Sequence, residues 1–136
     1  MLLAPLCAAA LLLPPGAEVG RASTFGQPGD RWAGGRMRCQ RLMSPAAFRR
    51  ALPYGVAHRR YPCGTELAIY DARTGRSSRG VVLDAGPWGA IHRGRWRIKR
   101  SEREPGRWRG VLDVLPPVAR RLGLTGLDPV VLRVLP

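Results

Sequence analysis

The sequence predicts a mainly β protein, built as a small closed barrel of six or seven short strands. Three observations lead there. Apolar runs are short and are broken by Gly or Pro, with 17 glycines and 13 prolines in 136 residues, a composition that favours strands and turns. Several runs alternate polar and apolar side chains, the pattern of a strand with one buried face. One late stretch alone, Leu115 to Leu122, carries firm helical spacing. The length leaves room for a single domain with a modest core.

Met1 to Pro15 is apolar and carries no charged side chain. It is too short, and too broken by Pro5, Pro14 and Pro15, for a membrane span of ~20 residues. It reads as a secretory signal, with cleavage between Gly16 and Ala22. The expected organisation is therefore a signal over 1–22 and a barrel domain over 23–136, exported to the periplasm, cell envelope or extracellular space. Cys7 lies outside any lipid-attachment pattern. No transmembrane segment is expected in the mature chain, and a monomer is expected.

Within the domain, Ala22–Gly26 reads as a short strand and Gln27–Gly35 as a loop containing Trp32. Arg36–Leu42 reads as a second short strand carrying Cys39. Ser44 followed by Pro45 supplies an N-cap and a first-turn proline for one or two helical turns that stop at Pro53. Gly55–Arg59 is a brief strand, and Thr65–Tyr70 alternates as a half-buried one. A hairpin turn over Asp71–Arg76 follows, and Ser77–Asp84 returns as the next strand. The most basic stretch, at about 89–109, alternates Trp96 and Ile98 against Arg95, Arg97 and Lys99, which predicts a projecting hairpin arm. Val111–Val114 is another buried strand. Leu115–Leu122 is a helix with Pro116 and Pro117 in its first turn and Gly123 as its stop. Asp128–Leu135 closes the chain.

The net charge is +14, and Lys99 is the lone lysine among 23 basic residues. Such a field attracts polyanions in general. The arginines are scattered through loops and no nucleic-acid-binding module accompanies them, so nucleic acid is not the expected partner. Without the leader, Cys39 and Cys63 remain, an even pair that in an exported chain points to one disulfide. Neither CxxC nor HxxxH spacing is present, so no metal and no cofactor is expected.

The stretch that carries chemistry is Val81-Val82-Leu83-Asp84-Ala85-Gly86-Pro87-Trp88-Gly89. An apolar strand delivers a lone carboxylate to a sharp turn, where Gly86 lacks a Cβ and Pro87 fixes the exit. Asp84 there suits acid–base work, or it simply caps the turn.

Four segments in order give a more specific signal: Ala22-Ser23-Thr24-Phe25-Gly26, Gly55 to Thr65 containing Ala57-His58-Arg59 and Pro62-Cys63-Gly64, Leu83-Asp84-Ala85-Gly86-Pro87, and Leu112-Asp113 ahead of Arg121-Leu122-Gly123-Leu124. Over roughly residues 22–136 this resembles the rare lipoprotein A-like double-psi β-barrel family, related in fold to expansins. The resemblance implies a six-stranded double-psi barrel with one or two short helices and a glycan groove across one face. It also implies non-hydrolytic cleavage of peptidoglycan strands that leaves a 1,6-anhydromuramyl end. Asp84 then falls on the family's acidic residue and His58 on its histidine, and the Cys39–Cys63 disulfide fits the exported subgroup. Trp88, Trp96 or Trp108, and Tyr61 are candidates for sugar contact; Asp113, beside the late helix, is read as a cap of that helix or of a loop. Ala85 stands where the family has arginine, and Asp113-Val114-Leu115 where it has Asp-Leu-Ser. An upstream glutamate of the family has no counterpart near Met43-Ser44-Pro45.

A single carboxylate suffices for such a lyase. Glycosidases use two because one must activate water or attack the sugar. With the muramyl 6-hydroxyl as internal nucleophile, Asp84 can protonate the leaving oxygen and then accept the hydroxyl proton. His58 would hydrogen-bond the substrate or set the charge of Asp84. Three readings stay open: a peptidoglycan lytic transglycosylase; a non-catalytic module of the expansin kind that binds peptidoglycan or another anionic wall glycan; and, least favoured, a polyanion or nucleic-acid binder driven by the arginines.

Overall fold

The computed structural model describes residues 16–26 and 36–136, so Cys7 and Trp32 lie outside the described residues. Six strands close a barrel: β1 (Glu18–Thr24), β2 (Gly55–Ala57), β3 (Glu66–Asp71), β4 (Ser77–Asp84), β8 (Leu112–Val114) and β9 (Asp128–Val134). Their order around the barrel is β1-β8-β2-β4-β3-β9. The β1–β8 and β2–β4 pairs are parallel and the other four are antiparallel. Between β4 and β8 the chain builds a separate three-stranded sheet from β5 (Gly89–His92), β6 (Arg95–Ile98) and β7 (Arg107–Trp108), in the order β6-β5-β7. This is the expected arm, with one strand more than a hairpin.

The apolar run at the end of β4 is continuous because both its faces are covered. Val82 points into the barrel with Val56, Leu67, Ile69, Leu112, Val114 and Leu132. Val81 and Leu83 point outward and are sealed by Phe48, Ala51 and Cys39. Each such side chain, fully buried, contributes ~1.5–3 kcal/mol. Gly80 faces the same interior, where a Cβ would come within 2.7 Å of the Ile69 Cδ1. The barrel therefore has no room for a side chain at that level.

The outer seal is α1 (Pro45–Ala51), capped by the Ser44 hydroxyl, which accepts the Ala47 N–H at 3.2 Å. The other helix, α2 (Pro116–Leu122), plugs the barrel core with Val118, Ala119 and Leu122 and ends on Gly123 at φ 67°. Both helices were legible from cap and stop residues.

Three expectations are corrected. Arg36–Leu42 is not a strand: Arg38–Arg41 forms a 3-10 turn, with the Gln40 side chain accepting the Met37 N–H at 2.8 Å. The Cys39–Cys63 disulfide, with Cα atoms 5.6 Å apart, ties that turn to the β2–β3 loop. The first strand runs over Glu18–Thr24, ahead of the expected Ala22–Gly26, because its register is set by β9: Glu18 lies opposite Leu132 and Ala22 opposite Asp128. A chain beginning at residue 23 would lack Glu18 to Ala22 of that strand. Asp113 does not cap α2, whose N-cap is Leu115 with no side-chain bond; its carboxylate instead accepts the Ser23 hydroxyl across the β1–β8 pair.

Candidate functional site

The pairing directions gather the chemistry at one end of the barrel. Since β2 and β4 are parallel, β8 opposes β2 and β1 follows β8, the start of β1, the ends of β2 and β4 and the start of β8 share one mouth. Glu18, His58 to Tyr61, Asp84 and the two roots of the arm lie there.

Asp84 ends β4 and is half-buried. Its Oδ1 accepts two main-chain N–H groups, from Arg38 at 3.0 Å and from Ala85 at 2.9 Å. Its Oδ2 makes no hydrogen bond among the described residues and is not shut away from the surface. The carboxylate is thus held by one oxygen and open at the other. Its orientation depends on the disulfide, because Arg38 belongs to the turn that Cys39 anchors. Gly86 follows at φ 136°, a value that favours glycine, and the Gly86–Pro87 peptide is cis. Trp88, next along the chain, is 38% exposed and its ring centroid lies 6.1 Å from that of Trp108.

His58 is only 2% exposed and both its ring nitrogens are engaged. Nδ1 accepts the N–H groups of Arg60 at 3.1 Å and Tyr61 at 3.3 Å. That leaves the proton on Nε2, which donates to Glu18 Oε1 at 2.7 Å. The Tyr61 ring stacks on the imidazole with centroids 3.9 Å apart, and Arg60 pairs with the other oxygen of Glu18. Burial holds the imidazole pKa below its ordinary value, against the opposing pull of Glu18. His58 meets Asp84 through the main chain, where its N–H donates to the Asp84 carbonyl at 3.1 Å. The side chains of His58 and Asp84 share no hydrogen bond, and one face of Tyr61 is taken by the imidazole.

Sequence reasoning missed Glu18, the acid that completes this corner. It falls within the segment that reads as a signal, although it is the one carboxylate ahead of Asp30. Arg59 was missed as well. Its guanidinium donates to the carbonyls of Pro87 (2.5 Å) and Gly110 (2.9 Å), one at each root of the arm, and lies 4.0 Å from the Trp108 ring centroid. Lys99, 5% exposed, also lies over that ring at 4.7 Å and donates to the Gly106 carbonyl at 2.8 Å. Trp108 Nε1 donates to Glu102 at 2.7 Å. Trp108 is therefore the arm's internal anchor and not a free stacking face. Trp96, on β6, is 59% exposed.

Among the described residues no three His, Cys, Asp or Glu side chains gather to hold a metal, and no helix is long and apolar enough to cross a membrane. A concavity of about 580 Å³ lies between the arm and β1, and neither Asp84 nor His58 lines it. No protein-family model matches the chain, and no curated protein matches it.

Proposed function

We propose that this chain is an exported, rare lipoprotein A-like protein that cleaves peptidoglycan glycan strands non-hydrolytically, with Asp84 as acid and then base. The observation that carries the reading is the carboxylate at the barrel mouth, fixed through Oδ1 and open at Oδ2, beside exposed Trp88. The mixed barrel of four antiparallel and two parallel pairs is compatible with a double-psi barrel, and the motif order given above supports the family. In this scheme the Asp84 carboxyl gives its proton to the oxygen between the muramyl and glucosaminyl units. The C1–O bond breaks, the muramyl 6-hydroxyl bonds to C1, and its proton returns to Asp84. His58 is a positioning residue: it fixes the end of β2, and through its N–H the carbonyl of Asp84. Tyr61 buttresses His58, and Trp88 stacks on a sugar face.

The test is residues 17–136, oxidised, incubated with sacculi, with 1,6-anhydromuramyl products read by mass spectrometry. Asp84→Asn should lower product formation by about 10²–10⁴-fold while its unfolding midpoint stays within the range of a surface change. Absence of anhydro products from the wild type, with both proteins co-sedimenting with sacculi, would replace this reading with that of a non-catalytic glycan-binding module. The exposed faces of Trp88 and Trp96 are what such a module would use.

A further inference from the structure

The arm carries a second surface whose chemistry the Asp84 site does not use. Across its sheet, β5 pairs with β6 and β7 so that Trp96 lies opposite Ile91 and Ile91 opposite Arg107. Directly opposed residues share a face, so an indole, an aliphatic side chain and a guanidinium stand in a row over about 10 Å, two strand spacings. Gly89 keeps the indole flat against the sheet: a Cβ there would come within 3.1 Å of Trp96 Nε1. Arg109 continues the ladder through its N–H to the Gly89 carbonyl at 2.9 Å, and the two-residue period of a strand puts it on the Arg107 side. Arg107, Arg109, Ile91 and Arg21 all line the 580 Å³ groove between arm and barrel.

The arginines of this groove have no internal anion. Arg107 and Arg109 make no side-chain hydrogen bond or ion pair among the described residues, and Arg21 reaches one carbonyl, that of Leu127, at 3.3 Å. The arm's own acids are committed elsewhere. Glu102 accepts from Trp108 and faces Lys99, and Glu104 faces Arg97 and caps the Arg100–Ser101 main chain. Three guanidiniums in one groove repel each other unless a ligand brings negative charge. An exposed indole at the end of the same row takes the face of a ring. A sugar polymer bearing carboxylates supplies both features at once, since its rings stack and its acid groups match the planar fork of arginine.

We propose that the arm is a binding site for an acidic polysaccharide, with Trp96 stacking on a sugar ring while Arg107, Arg109 and Arg21 take carboxylates of the same strand. The site is separate from Asp84 and stands whether or not Asp84 cleaves anything. Its test is the affinity of residues 17–136 for polygalacturonate oligomers, with the methyl-esterified, uncharged oligomer and a single-stranded oligonucleotide as the other arms. Trp96→Ala should weaken oligomer binding about tenfold, the size of one lost stacking contact. Arg107→Ala with Arg109→Ala should weaken it at least as much and flatten its salt dependence. The methyl ester should bind far more weakly than the acid, and the Asp84→Asn variant should bind as the wild type does. Equal binding of ester and acid would overturn the role of the arginines. An oligonucleotide bound as tightly as the oligomer, with Trp96→Ala without effect, would overturn the acidic-glycan assignment in favour of a general polyanion surface.

Discussion

Replacing Arg59 with alanine unties both roots of the arm at once. The arm leaves the barrel after Pro87 and returns at Gly110, and a single guanidinium bonds both carbonyls while covering Trp108. Each hydrogen bond from a charged donor is worth ~1.5–3 kcal/mol, and a cation–π contact at an accessible site ~0.5–1 kcal/mol. Arg59 is half-buried, so water recovers part of the loss at both carbonyls. About 2–3 kcal/mol remains. The loss is local, because no barrel pair runs through Arg59. Amide exchange reads it directly: the Lys99 N–H, bonded to the Trp88 carbonyl, and the Arg109 N–H, bonded to Gly89, should exchange roughly 30- to 150-fold faster. Barrel amides such as Val111, one residue beyond the root and bonded to the Arg21 carbonyl, and those of β3 should keep their rates. Arg59→Lys keeps a cation over the indole but has no fork to bridge two carbonyls, so it should recover less than half. Arm amides exchanging at the wild-type rate in Arg59→Ala would refute the argument, as would equal acceleration throughout the barrel.

Two further outcomes follow from the mouth. His58 is buried neutral and its pKa lies below the 6.5 of an exposed histidine, so the unfolded chain binds the proton more readily. Stability should be level above pH ~6.5 and fall as pH drops below it, by up to about 1.4 kcal/mol per pH unit for one proton, and His58→Gln should flatten that slope; an identical slope in urea melts of the variant would assign it to other groups. Reducing the Cys39–Cys63 bond, whose partners are 24 residues apart, should cost roughly 3.5 kcal/mol on the chain-entropy account. It should also release the turn that gives Asp84 its Arg38 N–H. A urea midpoint unmoved by reductant would show that Phe48 and Ala51 hold the loop without the bond.

Local rules made much of this fold legible. Ser44 with Pro45 located α1, Gly123 ended α2, and the apolar run into Asp84 marked the end of β4 to the residue. Non-local pairing was beyond those rules. Nothing in Glu18-Val19-Gly20-Arg21 separates a strand from the tail of a leader until β9 lies beside it, and Cys39 sits in a 3-10 turn because its partner at Cys63 and the cover over Leu83 require it. The site divides the same way. Asp84 could be found because strand, carboxylate and turn are contiguous. The Glu18–His58 and Arg59–Gly110 contacts join segments about 40 and 50 residues apart, and periodicity carries no trace of them. At the arm's tip Arg93 adopts φ 51° beside Gly94 at 73°, a hairpin turn in which Asn or Gly is the expected first residue.

The seating of β1 has a consequence for how the chain becomes a protein. Its partners are β8 and β9, the last two barrel strands in chain order, and β9 also pairs with β3. A chain emerging amino end first therefore carries β1 as an unpaired strand until β8 and β9 have appeared. Loop-closure entropy must be met before those distant pairings return any free energy, which places the chain among slow, high-contact-order folders. Barrel closure and the assembly of the Glu18–His58 corner then fall in one late step. The mouth that holds Asp84 exists only once β1 has met β8 and β9.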